Sequence, residues 1–132
     1  MRIATYNIRH GAPSGQMART TSIRAAVRSL NADVLALQEV DRRVVRSWFV
    51  DQTRMLARAT GRRGVFAPAR RLWLGQYGVA LLVPEGPVQS RILRLTSHVE
   101  QRVALFSRIR LSDGSGSGFA TVVCTHLQNA KG

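Results

Sequence analysis

The sequence predicts an α/β fold, and three patterns support this prediction. An alternating strand-like run covers Arg2–Ile8, a helix-like run covers about residues 17–30, and an apolar strand follows at Val34–Gln38. Strand, helix and strand in this order, within about forty residues, are typical of a βαβ unit. After Gly61 the pattern changes to successive short strands, without a linker or an internal repeat. We therefore expect a single domain over residues 1–132.

Two helices are predicted, each with an apolar side. The first covers about residues 17–30, and the second covers about residues 48–60 and is ended by Gly61. Their apolar residues recur at helical spacing: Ile23, Ala26, Val27 and Leu30 in the first, and Met55, Leu56 and Ala59 in the second. Each helix can therefore cover one face of a sheet.

Strands account for the second half of the chain. They are predicted at residues 65–69, 77–83, 88–95, 102–111 and 119–127. Glycine and proline mark the turns between them, at Gly75, at residues 84–87 and at residues 113–118. The last of these turns is glycine-rich and is expected to be a flexible, exposed hairpin tip.

Composition excludes some classes of protein. The longest uninterrupted apolar run, Val79–Val83, is far too short to cross a bilayer, and the N-terminus lacks the apolar region of a secretory signal. The only cysteine, Cys124, lies in an apolar strand pattern and is expected to be a small buried side chain. A single unpaired cysteine suits a reducing compartment, so we expect a cytoplasmic protein.

The formal net charge of +13 indicates an affinity for phosphate-bearing ligands. All but one of the 20 basic residues are arginine, and they are dispersed along the chain rather than clustered in blocks. This distribution predicts a general positive field. It does not predict a module that reads a nucleic-acid sequence.

Glu39 is the most informative residue of the N-terminal half. It follows the apolar strand Val34–Gln38, where a buried strand normally carries no charge. An unpaired carboxylate there costs several kcal/mol, so it needs a cation. Two alternatives remain open from the residue alone: Glu39 pairs with one of the arginines, or it holds a metal ion.

Four polar residues lie at the ends of apolar strands, where an α/β sheet usually meets its ligands. They are Asn7, Glu39, Arg102 and His126. An amide oxygen and one carboxylate suit Mg²⁺, whereas zinc would need a Cys/His cluster. An arginine can grip phosphate, and a histidine can bond to an oxygen on which charge develops.

Each of these residues also has a purely structural interpretation. Asn7 could satisfy a turn, Arg102 could be a surface arginine, and His126 could be a structural hydrogen-bonding residue. His98 and His10 are expected to be loop residues, with His10 a weaker candidate for the edge of the pocket.

The order of these motifs closely resembles the endonuclease/exonuclease/phosphatase family. The motifs that carry the resemblance are Thr5–Gly11, Ala32–Asp41, Gly75–Leu82, Glu100–Leu105 and Thr125–Leu127. It implies a four-layer α/β sandwich, two packed mixed sheets flanked by helices, of which this chain would be a truncated N-terminal portion. It also implies a metal-dependent phosphoester hydrolase, such as a phosphodiesterase, nuclease or phosphatase, and leaves the substrate open.

The resemblance assigns roles to residues of this chain. Asn7 and Glu39 would bind Mg²⁺ or Mn²⁺, and His126, with Arg102, would contact the scissile phosphate. Two departures limit the assignment. Val79 stands where the family usually has asparagine, and the motifs Gly-Asp-x-Asn and Ser-Asp-His, which activate water and complete the site, are missing.

The chain alone is therefore expected to be inactive or nearly so. Besides a phosphate-ester substrate, nucleic acid is a candidate partner, and the uncovered sheet face is expected to allow self-association. The alternative function is a non-catalytic basic fragment that binds nucleic acid or a protein.

Overall fold

The computed structural model describes residues 1–13, 15–86, 88–112 and 117–127. The elements in chain order are β1 (Ile3–Asn7), α1 (Thr20–Ser29), β2 (Val34–Arg42), α2 (Gln52–Thr60), β3 (Arg63–Leu72), β4 (Gly75–Val83), β5 (Gln89–Leu95), β6 (Arg102–Ser112) and β7 (Ser117–Thr125). Two short 3₁₀ turns, Arg9–Gly11 and Val45–Ser47, precede the helices. The predicted turn at residues 113–118 lies largely outside the described residues.

The strands form two sheets. Sheet A has the order β1-β2-β4-β3, in which β1 and β2 are parallel and the other neighbours are antiparallel. Sheet B has the order β5-β6-β7 and is antiparallel throughout. The parallel pairing of β1 and β2, with α1 between them in the chain, confirms the predicted βαβ unit.

Two apolar cores hold the layers together. One face of sheet A packs on the helices, with Ile23 and Val27 of α1 and Leu56 of α2 against Leu35 and Leu37. The opposite face packs on sheet B, in a second core with these main members: Val34, Leu81, Val103, Leu105, Val122 and Cys124. The α/β class is confirmed, and the described residues form a helix layer and two sheet layers.

The helices begin later than their apolar pattern predicted. Before α1, the backbone N–H of Ala18 donates to Arg46 O at 2.8 Å, so Ala18 lies in a loop and not in the helix. Before α2, the Asp51 carboxylate caps the helix by accepting from the backbone N–H of Arg54 at 3.0 Å. The predicted start of the second helix at Trp48 was wrong, because Trp48 has left-handed backbone (φ 57°).

The outer face of sheet B carries large apolar side chains that are exposed to solvent. Leu93, Phe119 and Val123 are each about half exposed, and the Arg108 guanidinium lies 4.4 Å from the Phe119 ring centroid. Among the described strands β7 has a neighbour on one side only. The expected self-association through this face stays a prediction.

Cys124 is buried at 1% exposure, as the sequence predicted. Burial raises the pKa of its thiol to about 11, while weak hydrogen bonds from Gln38 and to backbone act in the opposite direction. In the part of the chain that the structure describes, no helix has the length and apolar character needed to span a membrane.

Candidate functional site

Glu39 lies in a β-bulge of β2. The pairing of β2 with β4 shifts register between Leu37 and Val40, and Glu39 has left-handed backbone (φ 55°). A left-handed conformation costs a residue other than glycine about 1–3 kcal/mol, and bulges commonly redirect side chains next to functional sites. The bulge breaks the alternation of the strand and brings the Glu39 side chain to the end of β1.

At the end of β1, Asn7 holds the Glu39 carboxylate. Asn7 Nδ2 donates to Glu39 Oε1 at 2.8 Å, and Asn7 Oδ1 accepts from the backbone N–H of Arg9 at 3.0 Å. Asn7 therefore satisfies a turn, as its structural interpretation expected, and also orients a carboxylate.

No ion pair with Glu39 occurs among the described residues. The ion pairs are Arg42–Asp51, Arg46–Asp41, Arg70–Glu100 and Arg102–Glu100. The sequence left two alternatives for Glu39, a salt bridge with an arginine or a metal ion. The described part of the chain does not form the salt bridge.

The second pair of candidate residues, Arg102 and His126, belongs to sheet B. Arg102 Nη1 lies 3.4 Å from His126 Nδ1, and Arg102 Nη2 lies 2.9 Å from Glu100 Oε2. Glu100 Oε1 also pairs with Arg70 Nη1 at 2.9 Å. Since a guanidinium can only donate, Nδ1 is the acceptor in this contact and Nε2 carries the ring proton.

Arg102 is largely buried, with 15% of its side chain exposed. Its Nε has no hydrogen-bond partner in the described part of the protein. A buried guanidinium donor without a partner is costly, which is compatible with a neighbouring anionic ligand.

Gln38 connects the two sheets beside Glu39. Gln38 Nε2 donates to Thr5 Oγ1 at 3.0 Å and lies 3.6 Å from Cys124 Sγ. The end of β7 thus packs on β2 one residue before Glu39, and His126 follows Cys124 by two residues. Both pairs of candidate residues therefore lie at the same end of the sandwich.

Tyr77 lies beside both pairs, and sequence reasoning missed it. It is half-buried on β4, opposite Asp41 of β2, and the Arg46 guanidinium lies 5.6 Å from its ring centroid. Among the described residues its hydroxyl has no hydrogen-bond partner. The available signal was the position of Tyr77 in the Gly75–Leu82 motif, where it is the polar residue at the start of an apolar strand.

The electrostatic field at Tyr77 comes from both pairs. The pKa of Tyr77 is raised to about 12, mainly by burial and then by the charges of Glu39 and Glu100, while Arg102 and Arg46 act in the opposite direction. The phenol consequently stays protonated at neutral pH and remains a hydrogen-bond donor.

A buried ion pair supports the turn that follows Asn7. Arg46 donates two bonds to Asp41, Nε to Oδ2 and Nη2 to Oδ1, each at 2.8 Å, and Asp41 is fully buried. The backbone N–H of Asp41 donates to Gln52 Oε1 at 2.9 Å, and Gln52 Nε2 donates to His10 O at 2.8 Å. Sheet A, the Val45–Ser47 turn and α2 are thereby tied to the Arg9–Gly11 turn.

His10 lies within this turn, in left-handed conformation (φ 43°). Burial lowers the pKa of its imidazole, Arg46 lowers it further, and Asp41 and Glu39 oppose the shift. Its Nδ1 is buried without a partner among the described residues. His10 therefore lies near the candidate site, and its role at the edge of the pocket stays a prediction, whereas His98 lies in an exposed loop.

We expect the alkaline titration of Tyr77 to be identifiable by substitution. The phenolate absorbance that develops near pH 12 should disappear in Tyr77→Phe and persist in Tyr6→Phe. Because the folded-state pKa is raised from 10.0, stability falls as pH rises through the window from 10.0 to about 12. Urea unfolding should show a smaller fall for Tyr77→Phe; an unchanged absorbance phase in this variant would contradict the assignment.

The oxygen donors at this end of the sandwich determine which metal ion it could hold. The described residues contain no group of three or more His, Cys, Asp or Glu that could hold a metal. Glu39 supplies one carboxylate without a cation, and Asn7 Oδ1 keeps a second lone pair beyond its bond to Arg9. This sparse oxygen set fits Mg²⁺ or Mn²⁺ that keeps most of its waters and binds substrate oxygens.

The fold and the site together define a class of protein. It is an α/β sandwich in which both sheets bring charged and polar side chains to one end, with a carboxylate on one side and a guanidinium and an imidazole on the other. The model of the Endonuclease/Exonuclease/phosphatase family matches residues 4–124, so the chain belongs to this family.

Solved structures share the fold. An endonuclease/exonuclease/phosphatase from Beutenbergia cavernae DSM 12333 aligns with a TM-score of 0.76 at 20% identity, over 100% of this chain and 39% of its own. A family protein from Leptotrichia buccalis C-1013-b has a TM-score of 0.63 at 14% identity, over 99% of this chain and 57% of its own.

A functionally unknown conserved protein from Enterococcus faecalis V583 aligns with a TM-score of 0.63 at 20% identity, over 96% of this chain and 53% of its own. This chain thus spans between 39% and 57% of the length of these three proteins. No curated protein matches the sequence.

Proposed function

We propose that this chain forms the metal- and phosphate-binding part of a metal-dependent phosphoester hydrolase, such as a phosphodiesterase, nuclease or phosphatase. The observation that carries the proposal is the Glu39 carboxylate. It lies in a strained bulge, is half-buried, is held by Asn7 at 2.8 Å and has no ion-pair partner among the described residues. A fold that keeps such a group favours a ligand for it.

In this proposal Glu39 and Asn7 hold Mg²⁺ or Mn²⁺. Asn7 fixes the carboxylate through Nδ2 and presents Oδ1 from a turn that the Asp41, Arg46 and Gln52 network supports. A bound ion would polarise the phosphate and offset its negative charge.

His126 and Arg102 act on the phosphate from sheet B. With Nδ1 accepting from Arg102, His126 directs its Nε2 proton away from that contact and can donate it to a phosphate oxygen. Arg102, fixed by Glu100, orients His126 and adds positive charge. The Tyr77 hydroxyl is a further donor at the same end. Hydrolysis joins a water oxygen to phosphorus, breaks the bond to the leaving oxygen and returns a proton to that oxygen.

The described carboxylates around Glu39 are not available as a base for water. Asp41 is held by Arg46, and Glu100 is held by both Arg70 and Arg102. We therefore expect the 132-residue chain to hydrolyse bis(p-nitrophenyl) phosphate with Mg²⁺ no faster than its Glu39→Ala variant. Hydrolysis that EDTA and Glu39→Ala both abolish would contradict this expectation.

The proposal is tested by calorimetric titration of inorganic phosphate with and without Mg²⁺. Since coupling between two ligands is reciprocal, we expect Mg²⁺ to raise phosphate affinity by about fivefold or more. His126→Ala should weaken phosphate binding, whereas His98→Ala, which changes an exposed loop histidine, should not. Equal phosphate affinity with and without Mg²⁺ would overturn the proposed function and favour the non-catalytic basic fragment.

We further propose a cytoplasmic location. The argument is that the chain has one cysteine, buried and reduced at position 124, as is usual for proteins of reducing compartments.

A further inference from the structure

A concave surface lies beyond Glu39, where the β3–β4 hairpin meets the end of β2. We call it the rim cleft, and its lining residues are Arg42, Arg43, Arg71, Trp73, Leu74 and Gln76. Trp73 is 93% exposed and Leu74 is 61% exposed, although both are large apolar residues. Exposed aromatic side chains bordered by polar groups are typical of interaction sites.

The hairpin that carries Trp73 is held against β2. A Cβ added to Gly75 would lie 2.4 Å from Arg43 O and 2.6 Å from Arg42 O, so only glycine permits this approach. Trp73 has left-handed backbone (φ 34°), which is unfavourable for a tryptophan. The fold therefore holds the Trp73 backbone against β2, at a conformational cost, and leaves the indole in solvent.

Two of the three positive charges of the rim cleft are uncompensated among the described residues. The Arg43 and Arg71 guanidiniums are exposed and form no ion pair with any described residue. Arg42 is partly engaged, since it lies 3.4 Å from Asp51 and 5.7 Å from the Phe66 ring centroid. None of the lining residues is acidic. The cleft is thus complementary to a ligand that combines negative charge with a planar aromatic group.

We propose that the rim cleft binds single-stranded nucleic acid, with a base stacked on Trp73 and phosphates on Arg43 and Arg71. This inference rests on the proposed function, because it assigns a polynucleotide as the substrate of the Glu39 site. Arg42 is three residues beyond Glu39, about 10 Å along the strand. A stacked strand advances about 3.4 Å per nucleotide, so about three nucleotides connect the two places.

Single strands fit the cleft better than two other polyanions. Stacking on an indole needs an unpaired base, which duplex DNA does not offer. An anionic membrane supplies negative charge but no planar base for the indole to stack on. Duplex and vesicle binding are therefore measured as competing outcomes.

The test measures binding of a fluorescent short oligothymidylate by anisotropy, in EDTA so that the oligonucleotide stays intact. We expect Trp73→Ala to weaken binding by about tenfold or more, the usual effect of losing one stacked base. In a Trp48→Phe background, where Trp73 is the only tryptophan, oligothymidylate should quench its fluorescence. Urea unfolding of both variants checks that the fold is intact.

The arginine contribution is measured as salt dependence. Arg71→Ala should reduce the slope of log affinity against log salt by about 0.7, the value for one phosphate contact on a single strand. Arg28→Ala removes the same charge from the exposed side of α1 and should leave the slope unchanged.

Three results would overturn the inference. The first is an oligothymidylate affinity that Trp73→Ala does not change, and the second is an affinity for inorganic polyphosphate equal to that for oligothymidylate. The third is Trp73-dependent binding that prefers phosphatidylserine vesicles or duplex DNA to oligothymidylate. Because this assay contains no metal, its failure is distinct from failure of the proposed function. The latter is judged by the coupling of Mg²⁺ and inorganic phosphate.

Discussion

Arg46→Ala is expected to lower the free energy of unfolding by about 3 kcal/mol, because it leaves a buried carboxylate unpaired. Asp41 is 0% exposed and receives both of its charge-assisted bonds from Arg46, at 2.8 Å each. Arg46 itself is partly exposed, so the expected value lies at the lower end of the range for buried pairs. Urea unfolding, followed by circular dichroism, measures the change.

The matched control is Arg42→Ala, which breaks an ion pair of 3.4 Å between partly exposed side chains. Its expected cost is below about 1 kcal/mol. Asp41→Asn combined with Arg46→Ala should recover part of the loss, since the stranded charge is then absent. Equal effects of Arg46→Ala and Arg42→Ala would contradict the assigned role of the buried pair.

Glu39→Gln is expected to weaken Mn²⁺ binding by at least about tenfold, because Glu39 supplies the one carboxylate that the described residues bring to the proposed metal site. Glu39→Gly should lose the same affinity with the free energy of unfolding changed by less than about 1 kcal/mol. Relief of the left-handed strain raises the free energy of unfolding, and the greater entropy of glycine in the unfolded chain lowers it.

Calorimetric titration with Mn²⁺ measures the affinity, and Glu85→Gln is the control at an exposed carboxylate far from these contacts. If Glu85→Gln reduced Mn²⁺ binding as much as Glu39→Gln, the ion would be bound by surface charge rather than at Glu39. A large loss of stability in Glu39→Gly would instead make Glu39 a structural residue.

Much of the fold could be predicted because local patterns determined it. Helical spacing from Ile23 to Leu30 and the apolar run Val34–Gln38 produced the βαβ unit, and the apolar setting of Cys124 indicated its burial. The predicted start of α2 was wrong by several residues. The apolar pattern continued back to Trp48, but the Asp51 cap decides where the helix begins.

The site could be predicted only in part. Asn7 with Glu39, and Arg102 with His126, are each brought together as the order of motifs suggested. The bulge at Glu39 was not predictable, because it arises from pairing between β2 and β4, which are distant in sequence.

Long-range contacts also determine the surroundings of Arg102 and Tyr77, which the sequence could not show. Arg102 is engaged by Glu100, which Arg70 holds from another sheet, and Tyr77 gains its environment from Asp41 and Arg46 across the strand pair. Trp73 lies between two predicted strands, and only the hairpin geometry at Gly75 shows that it is exposed to solvent beside β2.

The most direct test of the central claim is paramagnetic broadening of amide NMR signals by Mn²⁺. The claim is that both sheets build one site around Glu39. We therefore expect Mn²⁺ to broaden the signals of Asn7 and Glu39 in sheet A, and those of Tyr77 and His126 as well, and Glu39→Gln to remove all four effects. Broadening centred on Asp33, Glu85 or other exposed carboxylates, with these four signals unchanged, would contradict the account.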